Sequence, residues 1–108
     1  MLRNKKYLKK KKSDFQKLWI STRQKIRYKL NSLNNAYDNA QKSGFMPQEE
    51  LGALKKKIDL LNTKNSEIHA IYSDLKKAQK NNKIQESQCI KILKCLKAKF
   101  DNLYREKL

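Results

Sequence analysis

The stretch LGALKKKIDLLNTKNSEIHAIYSDL, residues 51–75, decides the fold. Leu51, Leu54, Ile58, Leu61, Asn65, Ile68, Tyr72 and Leu75 follow one another at alternating steps of three and four. That heptad spacing lines one side of a helix with side chains that need a partner surface. Asn65 interrupts the seam, and a polar residue there fixes register at some cost in stability. Just upstream, Gly44-Phe45-Met46-Pro47 reads as a break followed by a start. Pro47 is expected at the first helical position, with Glu49 and Glu50 facing the positive end of the helix dipole. The seam decays at Lys80-Asn81-Asn82-Lys83, a turn composition. The spacing therefore predicts a helix over about 48–80.

Working outward, Phe15, Leu18, Trp19, Ile26, Leu30, Leu33, Tyr37 and Ala40 form an earlier stripe about 120° wide, broken only by Thr22. Ser13 or Asp14 can cap its start, and Lys42-Ser43-Gly44 stops it, which predicts a helix over about 14–42. Cys89, Leu93, Leu96, Phe100 and Leu103, flanked by Ile92 and Tyr104, predict a third helix over about 84–107. Each helix is amphipathic and none is stable alone, so the stripes must cover one another. The expected architecture is all-α: an antiparallel three-helix bundle over 14–108, preceded by a basic flexible arm over 1–13.

The 108 residues make one domain, and 38% apolar content is enough for a modest core without metals or disulfides. Apolar runs such as Leu18-Trp19-Ile20 are three residues long, far short of the roughly 18 a membrane span needs. Cys89 and Cys95 fall on different faces of one helix, too far apart to bridge. Both read as small apolar core or flank residues, and with no signal peptide in view a reducing intracellular compartment is expected. His69 stands alone, without zinc-ligand spacing, so neither metal nor cofactor is expected. No Gly-rich phosphate loop, nucleophile motif or acid–base pair is present, which argues against an enzyme. Asp74/Lys77 and Asp101/Arg105 read as solvated surface pairs.

Charge separates the chain into three parts. Residues 1–30 carry twelve Lys or Arg against Asp14 alone, a net +11, while 31–60 balance to zero and 61–108 return to +6. A gradient of this size repels itself unless an anionic partner neutralises it. Nucleic acid fits best. An anionic membrane surface is the weaker choice, because it needs exposed apolar residues that the first helix uses in the bundle. The candidate nucleic-acid residues are Arg3, Lys5, Lys6, Lys9, Lys10, Lys11 and Lys12 in the arm, then Lys17, Arg23, Arg27 and Tyr28 on the first helix. The lysine run has no spacing code and contacts phosphate without reading bases. Tyr28, outward with Ile20 and Gln24, favours RNA over DNA, since a ring can stack on an unpaired base. Trp19 reads as core. The heptad residues of the second helix are the alternative interaction surface, a seam for a partner helix.

The segment Lys10-Lys11-Lys12-Ser13-Asp14-Phe15-Gln16-Lys17-Leu18-Trp19-Ile20 resembles the family of the twentieth large-subunit ribosomal protein, bacterial and organellar type. Asp14, Phe15, Lys17, Leu18, Trp19 and Ile20 match its pattern, and Gln16 stands where a cation is usual. The stretch from Gly52 to Lys64, continuing through Ser66–Tyr72, is similar to the family's later helix pair, and the opening Met1–Lys6 to its start. The resemblance implies a structural constituent of a large ribosomal subunit, contacting rRNA through the arm and first helix beside other ribosomal proteins. Ten Asn and a Lys-heavy basic set suggest an AT-rich coding sequence. That fits the cytoplasm of a reduced-genome bacterium, or a plastid or mitochondrion. Two other functions suit the same residues: a DNA-binding accessory protein of a phage, plasmid or mobile element, and a helical adaptor docking through the seam. Against the first stands the lack of a helix-turn-helix with a Gly-containing tight turn.

Overall fold

A computed structural model describes residues 13–106. The chain is all-α, with helices α1 (Asp14–Ser43), α2 (Gln48–Lys80) and α3 (Glu86–Arg105), each packed on the other two. Ser13 caps α1 by accepting a hydrogen bond from the Gln16 amide, so of the two candidate caps it is the serine that serves. Gly44 ends α1 in the left-handed region at φ 72°, a conformation that costs glycine little. Pro47 lies one position before α2 and not on its first turn, and it leaves Glu49 and Glu50 inside that turn. The α2–α3 turn includes Asn82 at φ 59°. The third helix starts two residues later than the sequence spacing predicts. Gln85 forms a reciprocal capping box with Gln88, which leaves Ile84 in the turn, and α3 ends at Arg105.

The core is one cluster drawn from all three helices: Phe15, Trp19, Ile26 and Leu30 from α1, Leu61, Ile68 and Leu75 from α2, and Cys89, Leu93 and Phe100 from α3. Leu61, Ile68, Leu93 and Phe100 are 0% exposed. Six of the eight seam residues of α2 are buried, while Asn65 and Tyr72 are half-buried. The seam is thus covered by α1 and α3 within the chain.

The helices differ in reach. Phe15 N–H donates to Glu86 Oε1 at one end, and Lys57 Nζ donates to the Glu106 carbonyl at the other. Since α3 has 20 residues against 30 and 33 for α1 and α2, it covers only part of the α1/α2 hairpin. Beyond Lys57 that hairpin continues as two helices, with Leu51 and Leu54 buried between them. Its turn carries Phe45, 92% exposed. The body that positions any site is therefore the three-helix part. Among the described residues no helix is long and apolar enough to cross a membrane.

Candidate nucleic-acid interface

Helix α1 has two flanks beside its apolar stripe, and the bundle treats them differently. On the α3 side, Lys29 Nζ pairs with Asp101 Oδ1, and Lys97 Nζ reaches Asp101 Oδ2 at 3.0 Å. All three side chains are less than a third exposed. Partial burial pushes the Asp101 carboxyl up, but hydrogen bonds and positive charge from Lys29 and Lys97 outweigh it and hold the group below its ordinary value. Lys29 also lies 5.2 Å from the centre of the Tyr104 ring. This corrects the expected surface pairing: the partners of Asp101 are Lys29 and Lys97, not Arg105. On the α3 flank, then, Lys29 is engaged by a carboxylate of the neighbouring helix.

On the α2 side a cleft of about 190 Å³ opens between the helices. Helix α1 contributes Arg23, Arg27, Asn31 and Asn34, one side chain per turn, above buried Leu30. Helix α2 contributes Asn62, Asn65 and His69. No carboxylate lines the cleft, and among the described residues neither arginine takes part in an ion pair. The polar break in the heptad seam now has a location. Asn65 comes where α2 faces this cleft, so the interface there is amide and not apolar.

Aromatic rings close one end. Trp19 stacks on Tyr72 at 4.1 Å between ring centres and 8° between planes. His69 meets Trp19 edge-on at 4.8 Å, and Phe15 lies 5.2 Å from Tyr72. Trp19 is 6% exposed, a core residue as its spacing predicts. Burial raises the Tyr72 phenol above its ordinary value, and the positive charge of Arg23 pulls the other way, so that charge is felt at the edge of the cluster. His69 belongs to both groups: it lines the cleft and touches Trp19.

The candidate residues do not form one surface. Arg23 and Arg27 share the cleft. Tyr28, 77% exposed, lies instead in a separate shallow concavity with Ser21, Gln24, Lys25 and Lys29. Lys17 is exposed but lines neither. Arg3, Lys5, Lys6 and Lys9–Lys12 lie outside the described residues. The charge pattern missed Asn31, Asn34, Asn62 and His69. Their signal was polar residues at steps of three and four: Arg23, Arg27, Asn31, Asn34 beside the stripe of one helix, and Asn62 and His69 flanking Asn65, the polar break in the seam of the other.

The remaining reactive groups are structural or isolated. Cys89 is buried, its thiol pushed up by burial and by nearby Glu86. Cys95 is exposed. Among the described residues no cluster of His, Cys, Asp and Glu could hold a metal. No protein-family model, curated protein or solved structure matches this chain.

Proposed function

We propose that this is a polyanion-binding helical protein whose partner is RNA, and more narrowly a structural constituent of a large ribosomal subunit. The observation that carries the reading is the α2 flank of α1, where Arg23 and Arg27 face amides and an imidazole with no carboxylate in reach. On the opposite flank Lys29, by contrast, is held by the Asp101 carboxylate of α3. Two guanidiniums left open suit phosphate, which Arg binds through its planar fork of donors. The net +11 of residues 1–30 adds a sequence-independent attraction that steers the chain to nucleic acid. The resemblance of residues 10–20 to the twentieth large-subunit protein supplies the ribosomal part of the proposal. The seam of α2 is occupied by α1 and α3, which favours this reading over a helical adaptor.

The test is affinity capture of the full chain from its own cells, with and without ribonuclease. Large-subunit rRNA and its proteins should be recovered and then lost on digestion. Recovery of DNA, or of a single protein that survives digestion, would overturn the proposal. In vitro, replacing Lys9–Lys12 together with Gln should weaken RNA binding broadly. The slope of log affinity against log salt should flatten by about three, at about 0.7 per single-strand phosphate contact. An unchanged slope would remove the arm from the interface.

A further inference from the structure

We infer that the α1/α2 cleft holds one unpaired nucleotide, its phosphate on Arg23 and Arg27 and the edge of its base on the amides of Asn62 and Asn65. This rests on the RNA-binding reading above and adds what the charge pattern alone denies, a contact that distinguishes unpaired from paired bases.

Three features of the cleft lead there. Its donors include two guanidiniums, which select an anion. Its four asparagines each offer a donor and an acceptor side by side, the pairing that matches the edge of a base, whereas binding a bare phosphate requires donors alone. Its volume of about 190 Å³ holds several waters, so a ligand entering it exchanges solvent for those polar groups. Shape then decides strandedness. The cleft lies between two packed helices, with buried Leu30 beneath and amides along its walls, a recess that a splayed-out base can enter. In an A-form duplex the same edges are already paired.

His69 supplies a reporter. It lines the cleft and its ring centre sits 4.8 Å from that of Trp19, the only tryptophan of the chain. A nucleotide in the cleft should change Trp19 emission without contacting the indole.

The experiment titrates the full chain with a single-stranded RNA oligonucleotide, a duplex of the same length, and inorganic phosphate, following Trp19 emission and anisotropy of labelled RNA. Single strands should bind about tenfold tighter than duplex at equal ionic strength and should saturate the emission change. The N62A/N65A double variant keeps every cation and gains helix propensity, so it should fold with unaltered circular dichroism. It should bring single-strand affinity down to the duplex value while duplex affinity stays put. The R23Q/R27Q variant should weaken both. Equal single-strand and duplex affinity in the wild type, or a preference that survives in N62A/N65A, would overturn the nucleotide site and leave RNA binding standing. An emission change that millimolar phosphate reproduces in full would reduce the cleft to an anion site and overturn the base contact. Failure of all RNA to bind would overturn this inference together with the reading beneath it.

Discussion

The two flanks of α1 carry the same kind of residue and do opposite things with it. Toward α3, Lys29 is drawn into a partly buried network with Asp101 and Lys97, and its charge serves the fold. Toward α2, Arg23 and Arg27 face asparagines and His69, and among the described residues neither enters an ion pair. The difference does not lie in α1, where Lys29 is one turn from Lys25 and two residues from Arg27. It lies in what the neighbouring helix presents: a carboxylate from α3, carboxamides from α2. Which cation of α1 is paired and which is left open is thereby set by the partner helix, not by the cation.

The sharpest way to break this contrast is to remove the carboxylate. Asp101→Ala leaves Lys29 and Lys97 partly buried without their shared acceptor and should destabilise the bundle by about 2 kcal/mol in chemical denaturation. Arg23→Ala/Arg27→Ala should leave the melting temperature unchanged, since these groups make no ion pair among the described residues. RNA affinity should respond the other way, falling in the arginine variant and holding in the aspartate variant. Equal loss of stability from both would mean that the cleft, too, is part of the scaffold.

Acid gives a second, smaller separation. The folded-state pKa of Asp101 is depressed, because the hydrogen bonds and charges of Lys29 and Lys97 outweigh its desolvation. A depressed carboxyl contributes its full stability above the ordinary carboxylate value of about 3.9 and loses it as pH falls through the folded value. Melting temperature should therefore drop between about pH 4 and the onset of acid unfolding, and Asp101→Asn should flatten that part of the curve. A pH profile unchanged by Asp101→Asn would place the acid sensitivity in other carboxylates and remove Asp101 from the stabilising network.

Much of the fold was legible because apolar spacing is a local property. The seam from Leu51 to Leu75 and the stripe from Phe15 to Leu33 each specify a buried face without reference to any other segment. Gly44 announced a stop because a left-handed terminus favours glycine wherever it occurs. The misread parts rest on polar contacts that apolar spacing does not carry. Asp101 is four residues from Arg105 and 72 from Lys29, and only the bundle makes the second distance the short one. The start of α3 moved because Gln85 and Gln88 cap each other, a reciprocal pairing that the apolar pattern does not carry. The cleft was half legible. Arg23 and Arg27 were visible as cations off the stripe, but asparagine on a Lys-rich helix reads as solvated surface. Only the antiparallel pairing of α1 with α2 brings two polar stripes face to face.

Thr22 sits on the line between the two flanks and gives the finest test of where the polar territory ends. It is 0% exposed, within the apolar stripe, and its Oγ1 has no hydrogen-bond partner among the described residues. A buried hydroxyl without a partner forfeits its hydration for nothing, so Thr22→Val, equal in shape and branching, should stabilise the fold by about 1 kcal/mol. For a domain of this size that is a rise of about 5 °C in melting temperature. The helix itself gives little reason for any change, because threonine and valine have similar helix propensities. RNA affinity should not move, since Thr22 lies beneath the stripe and lines neither concavity of α1. A fall in melting temperature would show that the hydroxyl is satisfied in solution, with the Leu18 carbonyl one turn back as its natural acceptor. The polar cleft would then extend inward from Arg23 by a residue, and the boundary between the polar and apolar parts of α1 would run through its core and not along its edge.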